Sequence, residues 1–498
     1  MLKKISKSFR ENRLSSLLLC LLLVVAFIIR VYRIDKLLGF YYDQGRDALV
    51  IWDLWHKGKF FLIGPTTGLA GIFRAPYYYY LIAPFYLIGN GNPLYPSVFL
   101  IITSVVAIGF IYYLGMKIQD RATGLIAAAI SAFSFNLVMA SRWFSNPTPM
   151  LLLSMILVWG MLKVTRGIRW GWPIIAATAG LSLFSFGSAG ELFYFLAIFI
   201  FIIWQRKNWP DRKNLIFSII LFGLTLAPLI VFDIKHGGIL RGNIGKTFVA
   251  EKSFTLPTKY LLENRSPFYY DVFTNKIFHY RRNVEKYALL AVAAAFIFFF
   301  PQFLKNKGVK VLLLLLASPI IGLYFYQGNY TVLYDYYMTG YYLIFILLFA
   351  VVLGKIWQYR FGKLLITLFL YLFLTNNYAP LRFKLTDESG SPGSIAFVNQ
   401  KQAIDWVFQD AKDTPFNVDV YVPPVIPYAY DYLFRWYGQK YSRAPSESLT
   451  PLLYTVYEAD SNHQDRLDAW MVRQKGIGKV EEQFRSGGIT VQRRIRIK

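Results

Sequence analysis

Cysteine is almost absent: the 498 residues include one, Cys20, inside the first apolar run. A single thiol excludes a disulfide within the chain and any cysteine-based metal cluster, so it says nothing about redox compartment. Histidine is scarce as well. His56, His236, His279 and His463 are the full set, and no two stand at the spacing of helical metal ligands. Glycine loops of the Walker or dinucleotide type are missing, as is a Gly-x-Ser-x-Gly elbow, so the usual nucleotide-binding and serine-hydrolase signatures do not apply. Charged residues amount to only 16%, and acids are outnumbered by bases, 28 to 54.

The chain is rich in apolar residues. They make up 55% of it, in runs that approach the roughly 20 residues needed to cross about 30 Å of hydrocarbon. This predicts a polytopic α-helical membrane protein with length to spare for a soluble unit. Eleven spans fall near 14–31, 93–116, 122–140, 148–162, 173–188, 190–204, 215–231, 285–302, 311–326, 337–354 and 364–376. The basic start (Lys3, Lys4, Lys7, Arg10, Arg13) followed by an apolar run resembles a signal peptide. It lacks a small-residue cleavage site, so it reads as an uncleaved first span.

The net charge of +26 does not indicate a nucleic-acid partner, because the basic residues alternate between loops. With the N-terminus cytoplasmic, the inner loops carry Lys117 and Arg121; Lys163, Arg166 and Arg169; Arg206, Lys207, Arg212 and Lys213; Lys305, Lys307 and Lys310; and Lys355, Arg360 and Lys363. The short outer loops hold only Arg142. This is the positive-inside pattern. Three regions are then extracytoplasmic: the loop 32–92, the loop 232–284 and the polar tail 377–498, while residues 1–376 form the transmembrane part. Within the first loop, Pro76 to Gly89 reads as a juxtamembrane or half-inserted helix. The tail reads as a small α/β domain, with helices over 395–412 and 428–437 and strands over 416–422, 453–458 and 489–497, the first strand ended by Pro423-Pro424.

Chemistry concentrates in the first outer loop, at Tyr41-Tyr42-Asp43-Gln44-Gly45-Arg46-Asp47. A carboxylate here can serve as a general base, with Arg46 and Arg74 offsetting its desolvation. If a helix begins near Gln44, Asp43 is alternatively an N-cap. Asp53, among Trp52, Leu54 and Trp55, reads as an interface residue. Arg74, just before Ala75-Pro76, offers a planar fork suited to a phosphate, or a guanidinium that snorkels to headgroups. Tyr77 to Tyr80 read as an aromatic belt. On the same outer face lie Arg142 and Asn146, Glu191, His236, and Tyr334-Asp335. Glu191 is also explained as a helix-dipole partner. A hard cation on Asp43, Asp47 and Asp335 would compete with the nearby arginines.

On these motifs the chain resembles the GT-C membrane glycosyltransferases, in the branch of the protein O-mannosyltransferases (dolichyl-phosphate-mannose-protein mannosyltransferase-like) and the bacterial aminoarabinose transferases of lipid A. The likeness covers roughly residues 14–350 and leaves out the tail from 377. Asp43-Gln44-Gly45-Arg46-Asp47-Ala48 is similar to the family's loop run, with Gln44 at its second acid. Arg74-Ala75-Pro76-Tyr77 is similar to the basic residue, proline and aromatic helix that follow, and Ser141-Arg142 to a second loop motif in which Asn146 replaces the usual acid. The resemblance implies a GT-C-like bundle and an inverting, hexosyl- or pentosyl-type glycosyltransferase. Its donor would be a polyprenyl-phosphate sugar, and its acceptor a lipid, glycan or protein at the outer face of the cytoplasmic membrane. It implies catalytic roles for Asp43 and Asp47 and donor-phosphate binding by Arg46, Arg74 and Arg142. Asn146, Glu191, His236, Tyr334 and Asp335 would have secondary substrate contacts. No cofactor is required, and a divalent metal stays open. The alternative is a transporter or lipid flippase with external gating carboxylates, which would place charges at mid-span, where this sequence has few.

Overall fold

The structure, a computed structural model, describes residues 13–69, 71–251, 253–254, 259–326, 332–386, 393–423 and 426–497. Lys3, Lys4, Lys7, Arg10 and Pro424 lie outside the described residues. Each expected span coincides with an apolar helix or helix pair. Seven are long and apolar enough to cross a bilayer alone: Arg13–Val31, Leu94–Ile118, Arg212–Lys235, Asn283–Phe303, Lys307–Phe325, Asp335–Trp357 and Arg360–Thr386. Three are shorter (Met150–Thr165, Gly171–Phe186 and Gly190–Trp204), and Arg121–Phe133 with Phe135–Arg142 forms a pair bent by 65°. The protein is a polytopic α-helical membrane bundle.

The bend has a local cause. Ser134 leaves helical geometry at ψ 122°, and its hydroxyl accepts from the Leu137 N–H at 3.4 Å, starting a new helix. The carbonyls stranded before the break are taken up by Arg30, whose Nη2 donates to Ser131 O at 2.8 Å and Nη1 to Ala132 O at 3.0 Å. Arg30 is thus fully buried near the end of the first helix with its charge on backbone carbonyls.

The last helix, Arg360–Thr386, runs ten residues beyond the apolar stretch that marks it in the sequence. Polar Asn376 and Asn377 end the apolar run but not the helix, because both are bonded to neighbouring segments. Asn377 Oδ1 accepts from Phe135 N at 2.8 Å and its Nδ2 donates to Ile277 O at 2.8 Å. Asn376 Nδ2 donates to Tyr280 O at 2.8 Å and Glu285 Oε1 at 2.9 Å.

Residues 32–92 carry the short helix Ile34–Leu37 and two longer ones, Tyr42–Lys57 and Tyr77–Ile88. The tail contains the helices Phe397–Ala411, Tyr428–Tyr441 and Gln464–Ile477 and the strands β1 (Phe416–Tyr421), β2 (Leu452–Glu458), β3 (Gly478–Ser486) and β4 (Ile489–Arg496). The sheet order is β1-β2-β4-β3, with β1 and β2 parallel and the other pairs antiparallel. The helix Gln464–Ile477 and β3 were not among the elements expected from sequence. Both are mainly exposed and polar, so neither presents a clear apolar period.

The tail packs tightly on the segment 32–92. Gly45 meets the backbone of Tyr428 and Ala429 so closely that a Cβ would fall inside their van der Waals envelope, a contact open only to glycine. Around it, the Tyr42 and Tyr428 rings stand 5.0 Å apart, and Phe40 stands 5.7 Å from both Phe397 and Tyr432. Gln400 Nε2 donates to Phe40 O at 2.9 Å, and Trp436 Nε1 to Asn90 O at 2.9 Å.

Candidate active site

The Tyr42–Lys57 helix begins two residues earlier than the capping alternative requires. The Tyr41 N–H donates to Gln44 Oε1 at 3.1 Å, so Gln44 closes the helix start and Asp43 lies in the first turn without being the cap. Gln44 Nε2 reaches across to Phe144 O at 2.8 Å and ties the helix to the segment that follows Arg142. Helical spacing brings Arg46 to Asp43, three residues before it, and its guanidinium also bonds the adjacent Asp47. Its Nη1 lies 2.9 Å from Asp43 Oδ1, and its Nη2 and Nε lie 2.8 and 3.0 Å from Asp47 Oδ1. Its Nη1 also donates to Thr66 Oγ1 at 3.2 Å.

The two acids differ in access. The Asp43 side chain is 55% exposed, whereas that of Asp47 is 8% exposed, and the buried Tyr79 hydroxyl donates to Asp47 Oδ1 at 3.0 Å. Tyr78 and Tyr79 therefore point into the protein and not outward as a belt. Burial outweighs the attraction of Arg46 and pushes the Asp47 carboxyl up to about 6. A carboxyl whose folded pKa is raised binds its proton more tightly folded than unfolded. Its contribution to stability therefore falls as pH climbs from about 4 to about 6. Thermal melts of the wild-type protein and Asp47→Asn across pH 4–7 should show the difference in Tm changing over that window. A constant difference would mean that Asp47 is not so perturbed.

Arg74 reaches the same place from the other end of the loop. Its segment is fastened by Gly64 N to Arg74 O at 2.7 Å and Arg74 N to Pro65 O at 3.2 Å. Ala75 N then donates to Phe184 O at 2.6 Å, and Ser185 Oγ to Ala75 O at 3.2 Å. Phe184 and Ser185 belong to a π-helical turn, Ser182–Phe186, a wound-out geometry frequent at functional sites. Beyond it, Arg74 Nη1 donates to Gly187 O. Burial draws the Arg74 guanidinium below its usual value, opposed by the charge of Glu191 and the rings of Tyr336 and Tyr337, with Arg46 also within electrostatic reach.

Asp43, Arg46, Asp47, Arg74 and Glu191 thus share one region. Glu191 is buried, its Oε2 accepting from Ser188 N at 2.6 Å and its Oε1 from Gly340 N at 2.7 Å. Asn146 Nδ2 donates to Phe186 O at 3.4 Å, at the edge of the same turn. Arg142 is buried, with Nη1 on Arg30 O at 2.7 Å and Tyr32 O at 3.0 Å at the end of the first helix. Asp335 turns to the buried Lys276, 2.8 and 2.9 Å away, and accepts from the Tyr342 hydroxyl at 2.7 Å. Tyr334 stacks on Tyr336, which touches Trp143. His236 is exposed and stacks on Phe232, whose ring also meets Phe73. Asp53 pairs with Lys57 at 2.8 Å, at the interface with the tail's Arg435 at 3.8 Å.

Tyr79, Thr66, Lys276 and Gly45 were missed at the sequence level. Only Gly45 left a signal, as a glycine inside a helix. Among the described residues no three of His, Cys, Asp and Glu gather into a ligand set. The acids considered for a hard cation are paired with Arg46 and Lys276.

Residues 73–232 match the family described as dolichyl-phosphate-mannose-protein mannosyltransferase. No curated protein matches the chain by sequence. In structure the chain is similar to ArnT from Cupriavidus metallidurans, in the apo state (TM-score 0.62) and bound to undecaprenyl phosphate (0.58), each at 9% identity over 97% of this chain and 98% of that one. It is also similar to the archaeal oligosaccharyltransferase AglB from Archaeoglobus fulgidus, in complex with an inhibitory peptide and a dolichol-phosphate. There the TM-score is 0.51 at 13% identity, over 97% of this chain and 74% of that one. The fold is therefore the ArnT-like, GT-C type, and the resemblance holds in the architecture, while the family match takes in Arg74-Ala75-Pro76-Tyr77 and Ser141-Arg142 and begins after the Asp43 run.

Proposed function

We propose that the protein transfers a sugar, with inversion, from a polyprenyl-phosphate carrier to an acceptor hydroxyl at the outer face of the cytoplasmic membrane. The observation that carries this reading is an exposed carboxylate, Asp43, paired with Arg46 and with a second arginine, Arg74, within electrostatic reach of Arg46, beside a membrane bundle. Asp43 takes the acceptor's hydroxyl proton as the acceptor oxygen attacks the anomeric carbon. The bond from that carbon to the carrier phosphate breaks, and the phosphate leaves with the electron pair. Arg46 and Arg74 meet the growing negative charge on it. Asp47, buried beneath, holds Arg46 in place. A single displacement inverts the configuration. ArnT bound to undecaprenyl phosphate and AglB with a dolichol-phosphate supply the carrier class by analogy.

In this reading residues 1–376 carry out transfer, with the N-terminus cytoplasmic. The loops 32–92 and 232–284 and the tail 377–498 lie outside. The alternation of basic loops supports that orientation, and the packing of the tail on the Tyr42–Lys57 helix puts tail and site on one side. The test is mass spectrometry of lipid extracts from cells with and without the protein. Its loss should leave a polyprenyl-phosphate sugar accumulating and an envelope glycan, lipid or protein lacking that sugar. Unchanged carrier pools would remove the proposal.

A further inference from the structure

The turn gripped by Arg74 holds polar groups that the chain itself leaves unanswered. Among the described residues, two side-chain atoms here are buried without a hydrogen-bond partner: Arg74 Nε and Ser188 Oγ. Arg74 also has no ion pair among the described residues, and the nearest acid, Glu191, has each carboxylate oxygen occupied by a backbone N–H. A buried donor without an acceptor costs free energy comparable to a lost hydrogen bond, and more when it belongs to a charged group. Arg46 is bonded to Asp43 and Asp47, so Arg74 is the guanidinium of this region that no carboxylate is bonded to among the described residues.

The hydroxyl sits one residue beyond Gly187, whose carbonyl takes the Arg74 Nη1. The two unanswered donors therefore flank a single bond, the one from Arg74 Nη1 to the Gly187 carbonyl. Gly187 makes that patch possible: a Cβ there would run into Ser182 O and the Glu191 side chain. The remaining contacts of the turn face the protein, through Asn146 on Phe186 O and the Tyr341 hydroxyl on Gly190 O at 2.9 Å. An anionic oxygen is the group that answers an N–H and an O–H together.

We infer that Ser188 is a substrate-contacting residue, its hydroxyl and the Arg74 Nε–H together holding a non-bridging oxygen of the carrier phosphate. The inference rests on the proposed function and adds to it the residue that completes the phosphate contacts. It also accounts for the π-turn, which sets the chain so that Gly187 presents its carbonyl to Arg74 while Ser188 keeps its hydroxyl free for ligand.

Native mass spectrometry of the detergent-solubilised full chain with undecaprenyl phosphate tests it, since the method reads the folded protein only. Ser188→Ala should bind roughly ten-fold more weakly than wild type, the worth of one hydrogen bond to a charged group. Ser188→Thr, which keeps the hydroxyl, should bind as wild type does. Wild-type affinity in Ser188→Ala would overturn the assignment while leaving the function in place. So would equal weakening in Ser188→Ala and Ser188→Thr, because shape and not the hydroxyl would then be responsible. A wild-type protein that takes up no undecaprenyl phosphate would overturn both.

Discussion

Asp43→Asn is expected to lower sugar transfer by roughly 10²–10⁴-fold, the usual worth of a positioned base, with little change in stability or carrier binding. Asparagine keeps the shape of the side chain and cannot accept the acceptor's proton. Two features of the site separate this outcome from a structural effect. Gln44, and not Asp43, closes the start of the helix, so no cap is lost. The Asp43–Arg46 pair is more than half exposed on the acid's side, and such pairs contribute only about 0.2–1 kcal/mol. Turnover measured on purified protein alongside its Tm decides the matter. An Asp43→Asn enzyme with near-normal turnover would end the role of Asp43, and buried Asp47 would become the candidate.

Gly45→Ala is expected to have the second largest effect, with transfer down on the order of 10²-fold. The added methyl group has to displace the backbone of Tyr428 and Ala429 or move the helix that bears Asp43, Arg46 and Asp47. Neither neighbour is a flexible side-chain tip. A shift of about 1 Å in reacting groups costs rates of that size. The same substitution should loosen the tail, which limited proteolysis would read as faster cleavage near residue 428. Unaltered proteolysis with full turnover would show that the tail is not what holds the helix bearing Asp43.

The membrane bundle was legible because each span announces itself by an unbroken apolar run, and hydropathy needs no partner to be read. The heart of the site was legible for a related reason. Asp43, Arg46 and Asp47 are neighbours on one turn of helix, so their meeting follows from spacing. Contacts across the chain were not legible. Tyr79 looks like a belt residue until its hydroxyl is found on Asp47, 32 positions away. Glu191 looks like a dipole partner until its other oxygen is found on Gly340. Gly45 gives no hint that it faces a helix from the far end of the sequence. Arg142 stood out as the sole basic residue of the short outer loops, and the structure gives it carbonyls at the end of the first helix. In the tail, β3 and the Gln464–Ile477 helix are set by pairing and docking, which local pattern does not record.

The kink at Ser134 bears on how the chain is made as well as how it stands. Arg30 leaves the ribosome about a hundred residues before Ser131 and Ala132, the carbonyls that later accept its guanidinium. Of its three carbonyl partners only Ala26 O, 3.1 Å away, belongs to its own helix, so the other two bonds form only after the later helix has been made. The order of synthesis is in this way written into the packing of the finished protein.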